Sequence, residues 1–269
     1  MSGATLTKAV ADSAVVAKRN LIKIKRVPDL LVFTAISPIM FILLFAYVFG
    51  SAIDVPGINY REFLIPGIFA QTVIFGATLT GAGLADDIKK GIIDRFRSLP
   101  MSRSAVLVGR TGSDVLNNVL VIVVMSLTGL AVGWRIRTSV GEAVAGFLLL
   151  LLFAYAISWV MALIGLLVPS PEVVNNASFV VIFPLTFIAN TFVPTNNFPS
   201  VLRTIADWNP VSSVTQAARE LFGNTSRKFP APDVWALQHP VLYTLGWVAL
   251  LLVVFVPLSV RQYKRAANR

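Results

Sequence analysis

The densest set of ionisable side chains in this 269-residue sequence lies between Leu84 and Arg110, in the stretch LADDIKKGIIDRFRSLPMSRSAVLVGR. Adjacent carboxylates such as Asp86 and Asp87 are raw material for acid–base or metal chemistry. Either use needs a third group close by, and the only histidine, His239, lies far along the chain beside Pro240. One histidine fits a structural or interfacial role. The sequence has no cysteine, which excludes a disulfide framework and a thiolate metal site. It has no G-x-x-x-x-G-K-[ST] loop to cradle the phosphates of ATP. What the stretch fits is docking. Leu84, Ile88, Ile92, Phe96 and Leu99 recur at spacings of four, four, four and three, which puts them on one helical face. The predicted helix covers residues 85–100. Its expected contacts to a partner are Asp87, Ile88, Gly91, Ile92, Asp94, Arg95, Phe96, Arg97, Leu99 and, just beyond it, Arg103.

The elements around this stretch are apolar. The composition is 56% hydrophobic with a mean hydropathy of +0.76, too apolar for a soluble domain of this size. The expected fold class is an all-α integral membrane protein forming a single transmembrane domain over 1–269, with six transmembrane helices, an N-terminal interfacial helix, a cytosolic amphipathic helix and re-entrant exoplasmic helices. A helix needs about twenty residues to cross the hydrocarbon. Six segments qualify: Leu30–Phe49, Phe63–Leu84, Val115–Val132, Ala143–Val168, Val173–Val193 and Val241–Val260. Pro169-Ser170-Pro171-Glu172 separates the fourth from the fifth as a tight turn.

Sixteen of the 23 Lys and Arg residues fall in the N-terminal segment, the 85–114 loop and the 261–269 tail. The positive-inside rule therefore places both termini in the cytoplasm. It also accounts for the net charge of +10, which otherwise raises the question of nucleic acid. Residues 1–29 interleave Lys18, Arg19, Lys23, Lys25 and Arg26 with Val15, Val16, Leu21, Ile22 and Ile24, the pattern of a basic helix lying on the inner leaflet. They contain no short cleavable apolar core of the signal-peptide kind.

None of these six segments contains Asp, Glu, Lys, Arg or His. An ion-coupled carrier commonly needs an ionisable group at membrane depth, so its absence disfavours one. Amides and hydroxyls remain, with an aromatic row at Phe41, Phe45 and Phe49. A charge-free cavity suits an amphipathic or lipid-like substrate, and the candidate path is Phe41, Phe45, Gln71, Asn117, Asn118 and Asn190. The same groups would also serve to bond neighbouring helices together.

Residues 194–240 hold two short amphipathic patterns. Phe198, Val201, Leu202 and Ile205 form one; Val214, Ala217, Ala218, Leu221 and Phe222 form the other. Asn209-Pro210 separates them, Ser213 and Gln216 have capping-box spacing, and Gly223-Asn224 supplies a stop. Both are too short to span, so they are expected to dip into the outer leaflet and return. Phe198, Leu202, Asn209, Pro210 and Phe222 are the candidate exit lid, or an interfacial hairpin that closes the bundle.

Two blocks, Asp86–Arg110 and Phe183–Asn224, resemble the permease subunits of ABC-2-type exporters, most closely the daunorubicin-resistance branch of actinobacteria. Gly91-Ile92-Ile93-Asp94, where many members carry Gly-Thr followed by Glu, looks like a feature of that branch. The resemblance covers nearly the whole chain. It implies that the 85–100 helix is a coupling helix seated on a separate ATP-binding subunit, which binds ATP and Mg while this chain needs no cofactor. It implies a second permease copy, identical or related, in a bacterial cytoplasmic membrane. The competing reading is a stand-alone carrier or lipid-modifying membrane enzyme.

Overall fold

A backbone without water to bond must satisfy its own polar groups, and apolar segments do so as helices. The computed structural model describes residues 28–50, 52–92 and 105–266. The predicted helix over 1–29 lies outside them up to Pro28, and so do Asp94, Arg95, Phe96, Arg97, Leu99 and Arg103. Among the described residues, ten α-helices follow in order: α1 (Pro28–Leu43), α2 (Tyr60–Gly76), α3 (Thr78–Lys89), α4 (Ala105–Val132), α5 (Val140–Leu167), α6 (Pro171–Ile188), α7 (Ser200–Asp207), α8 (Pro210–Phe222), α9 (Trp235–Gln238) and α10 (Pro240–Ala266). A π-helical turn, Leu44–Phe49, extends α1.

All six apolar segments are helical. Five described helices are long and apolar enough to cross a membrane: Tyr60–Lys89, Leu107–Val132, Val140–Leu167, Pro171–Ile188 and Pro240–Arg265. The segment expected to be the first span contributes a shorter apolar helix, Ile36–Phe49. Local chemistry sets several starts. The Asn59 side chain accepts from the Arg61 N–H ahead of α2. Ser139 and Glu142 form a reciprocal capping box on α5. Ser170 caps α6, with Pro171 in its first turn where no N–H is needed.

Three boundaries differ from the sequence expectation, each for a visible reason. First, α4 begins at Ala105, ten residues before the predicted Val115. The helix absorbs Arg110 and Asp114 by pairing them: Arg110 Nε lies 3.8 Å from Asp114 Oδ2, and the Thr80 hydroxyl donates to the same oxygen. Arg110 Nη2 also donates to the Leu79 carbonyl at 2.9 Å. The ion pair therefore lies in the added first turns of α4, ahead of the charge-free segment Val115–Val132. Second, α6 stops at Ile188 rather than Val193. The chain leaves the helix because Asn190 and Thr191 turn their carbonyls to Arg219.

Third, the predicted continuous helix over 84–99 is interrupted. Residues 84–89 belong to α3, and Gly91 follows at φ +64°, the left-handed conformation that ends helices. Leu84 is fully buried in a cluster with Leu107, Trp159, Ala162, Leu166 and Tyr263, and Ile88 packs against it. Asp87 is thus buried and Ile88 partly buried within the chain's own bundle.

Helix α5 is the hub, packed against α2, α3, α4, α8 and α10. Lipid is as apolar as leucine, so close packing rather than apolar burial holds such helices together. The crossing of α3 and α5 shows this. A Cβ on Gly165 would sit 2.2 Å from the Gly81 carbonyl oxygen, so only glycine admits this approach. Gly165→Val is expected to destabilise the bundle by about 1–3 kcal/mol. The check is a fall in the monodisperse fraction on fluorescence-detected gel filtration in mild detergent.

Candidate functional site

A cavity of about 410 Å³ opens between α1, α2, α3, α4 and α6. Phe41 enters it from α1, Gln71, Thr72 and Phe75 from α2, Asn117 and Asn118 from α4, and Phe179 and Phe183 from α6. Among the described residues, no ionisable side chain lines it. Its size falls in the range of drug-sized ligand sites, and its few amides offer donors and acceptors on an apolar wall. The structure brings together four of the six residues chosen from sequence: Phe41, Gln71, Asn117 and Asn118. Phe45 stands just outside the lining, stacked on Phe41 with centroids 6.0 Å apart and on Phe192 at 4.5 Å. Asn190 does not belong to this cavity; it lies at a second one beside Arg219.

Sequence reasoning did not single out the α6 aromatics. Phe179, Phe183 and Phe187 repeat every four residues, the same signal that marked Phe41, Phe45 and Phe49. Their rings stack at 4.9 and 4.1 Å, and Phe187 reaches Phe192 at 4.9 Å. Phe49 and Phe45 stack at 5.0 Å. One continuous file of phenyl rings therefore runs from the cavity along α6, through Phe192, and onto the end of α1. Thr80, Asp114 and Arg110 lie outside the lining, so the ion pair ties α3 to α4 and is not part of the cavity wall.

The segment expected to form a lid divides in two. Asn209 caps α8 through Oδ1, which accepts from the Val211 N–H at 2.8 Å, and its Nδ2 donates to the Leu185 carbonyl at 2.7 Å. The expected Ser213–Gln216 capping box does not form. Ser213 sits inside the helix, bonded to the Pro210 carbonyl and the Thr244 hydroxyl. Gly223 ends α8 at φ +71°, as expected.

Phe222 is fully buried among Phe69, Trp134 and Phe147, so it is a core residue and leaves the lid set. Helix α8 as a whole packs against α2, α5 and α10. By contrast α7 exposes Val201, Leu202 and Ile205, and Phe198 just before it is half-buried. Asp207 at its end is held by the Thr195 hydroxyl and by Arg203 at 3.9 Å; burial pushes its pKa up.

The end of the bundle that carries α7 and α8 is stitched by further polar contacts. Arg137 forms a two-pronged pair with Glu62, with Nη2 to Oε1 at 2.5 Å and Nε to Oε2 at 3.0 Å. The Trp134 indole donates to Asn224 Oδ1 at 2.7 Å. Arg219 on α8 is buried, with Nε donating to the Phe63 carbonyl at 2.8 Å and Nη2 to the Asn190 carbonyl at 2.7 Å.

Comparison with known proteins places this architecture. The chain is 33% identical over 246 residues to the daunorubicin resistance ABC transporter permease protein DrrB1 of Streptomyces coeruleorubidus, covering 91% of this chain and 83% of that protein. It is 28% identical to the putative transport permease ycf38 of Cyanophora paradoxa, over 90% and 83% of the two chains. Identity is 24% to the probable doxorubicin resistance ABC transporter permease protein DrrC of Mycobacterium tuberculosis, over 86% and 80%. The profile described as "ABC-2 type transporter" matches residues 13–222. The chain belongs to the ABC-2 type transporter family.

Proposed function

We propose that this chain is the membrane-spanning permease of an ATP-driven exporter that carries an amphipathic drug or lipid-like molecule out of the cytoplasm or the inner leaflet. Family membership and the drug-resistance permeases among its relatives support the transporter class. The observation that carries the substrate reading is the uncharged cavity of amides and phenylalanines. A neutral, aromatic-walled space rewards apolar shape and a few hydrogen bonds rather than charge.

In this reading six helices cross a bacterial cytoplasmic membrane, with both termini in the cytoplasm as the distribution of Lys and Arg implies. Two permeases, identical or related, stand beside two ATP-binding subunits that hold ATP and Mg. The segment after Gly91 docks on the ATP-binding subunit, with Asp94, Arg95, Arg97 and Arg103 as polar contacts and Ile92, Phe96 and Leu99 as packing. Closure of the ATP-binding pair pushes that segment, rocks the helices and releases substrate past α7 on the outer face. The Arg110–Asp114 pair does not revive a carrier mechanism, because its two charges compensate each other away from the cavity.

The test is co-expression with the ATP-binding subunit, co-purification, and ATP-dependent uptake of a fluorescent amphipathic dye into inside-out vesicles. Uptake without ATP, driven by a proton gradient, would overturn the reading. Phe41→Ala with Phe183→Ala removes two aromatic walls, each worth about 0.5–1.5 kcal/mol. The expected result is an apparent KM for dye raised about tenfold, with basal ATP hydrolysis unchanged.

A further inference from the structure

Gln71 on α2 and Asn117 and Asn118 on α4 are buried amides on the wall of the uncharged cavity, 6%, 7% and 3% exposed. Amides in membrane helices commonly bond across to a neighbouring helix. Here they do not: among the described residues, no hydrogen bond engages any of the three side chains. They are also open to the cavity, whereas the unpartnered Oδ1 of Asn190 and Nη1 of Arg219 are sealed within the packing. Gly76 makes room for this arrangement, since a Cβ there would collide with Oδ1 of Asn118.

Each amide offers two N–H donors and one carbonyl acceptor. A buried amide without a partner is costly, so the cost depends on what fills the cavity. A hydrocarbon chain leaves all three amides unpaired. A molecule with carbonyl or hydroxyl oxygens gives them partners. Waiting hydrogen-bond groups therefore discriminate mainly by rejecting a ligand that lacks their complement. The rest of the wall selects the body of the ligand. Phe41, Phe75, Phe179 and Phe183 line the same cavity, with Phe75 and Phe179 centroids 6.4 Å apart and Phe179 and Phe183 at 4.9 Å. Phenyl rings so placed stack well on a flat ring.

We propose that Gln71, Asn117 and Asn118 determine specificity, selecting a neutral, ring-bearing molecule with several carbonyl or hydroxyl oxygens and rejecting a plain hydrocarbon such as a lipid tail. This rests on the reading of the cavity as the substrate site and narrows the substrate class within it.

The test uses two tritiated ligands of similar shape: flavonol, with its carbonyl and hydroxyl, and phenylnaphthalene, a hydrocarbon. Binding to the purified full chain in nanodiscs is read by scintillation proximity, with empty nanodiscs subtracted. The wild type is expected to bind flavonol about tenfold more tightly than phenylnaphthalene. In Gln71→Met/Asn117→Leu, flavonol is expected to weaken about tenfold and phenylnaphthalene to tighten about fivefold. Gln71→Ala/Asn117→Ala removes the same amides without adding bulk and is expected to weaken flavonol alike. Its Tm is expected to stay near that of the wild type, because no hydrogen bond inside the chain is lost. A lower Tm with flavonol binding unchanged would make the amides structural and overturn the proposal. Equal binding of the two ligands by the wild type would also overturn it, while leaving the cavity as a site. Saturable binding of neither ligand would overturn the cavity reading itself, and the proposal with it.

Discussion

Reversing both charges in Asp94→Lys/Arg95→Glu is expected to abolish ATP-driven dye export while expression and membrane insertion stay at wild-type levels. Both residues fall in the segment after Gly91, in the block that resembles the coupling helix of ABC-2 permeases. Like charges brought face to face across an interface cost several kcal/mol. Two such reversals would lower the population of docked complex by orders of magnitude. The readouts are dye uptake, ATP hydrolysis by the co-purified complex, and recovery of the ATP-binding subunit on affinity resin. Normal uptake and hydrolysis in the double variant would end the docking assignment. Because Gly91 separates this segment from α3, the change should not unfold the bundle, so insertion is a fair control.

The second large effect is on stability. Asp114→Ala leaves the Arg110 side chain, 14% exposed, without its counter-charge and strips the Thr80 hydroxyl of its acceptor. Breaking a buried pair from one side costs about 3–5 kcal/mol, whereas replacing both partners by apolar groups of similar size is often neutral. Asp114→Ala is therefore expected to lower the Tm sharply, and Arg110→Met/Asp114→Leu to recover most of the loss. The check is thermal unfolding of the wild type, Asp114→Ala and the double variant in one detergent. A double variant as unstable as Asp114→Ala would mean that packing of Arg110 against Gly83, rather than charge, sets the cost.

The apolar segments were legible because hydropathy is a local property; the caps at Asn59 and Ser170 are equally local but were not singled out. The cavity was half legible. Phe41, Gln71, Asn117 and Asn118 were selected as uncommon residue types in apolar runs, and the fold brings them together. What stayed hidden depended on pairing across distance. Arg110 and Asp114 read as loop residues because their charges suggest water; they pair i,i+4 within α4, but the Thr80 hydroxyl and Leu79 carbonyl that complete the set come from α3. Arg219 read as an ordinary cation of an amphipathic helix, since its carbonyl partners lie 156 and 29 residues away. The break at Gly91 was obscured by apolar spacing that continues in register on both sides of it. Phe222 shows the same limit: its periodicity is that of an interfacial helix, yet its ring is enclosed by Phe69, Trp134 and Phe147.

Helix α3 can also be read as a lever. It runs from Ala77, beside the cavity residues Thr78 and Leu79, to Lys89, and at about 1.5 Å per residue its arm is roughly 18 Å long. A stroke of about 3 Å at the Gly91 end corresponds to a tilt of about 10° over that arm. At Leu79, two residues from the fulcrum, the same tilt moves the backbone by only about half an ångström. A tilt of α3 about Ala77 would thus displace its Gly91 end about six times as far as Leu79. The tie from Arg110 to the Leu79 carbonyl sits at the short end of the arm, where such a displacement passes directly to α4 and its two asparagines.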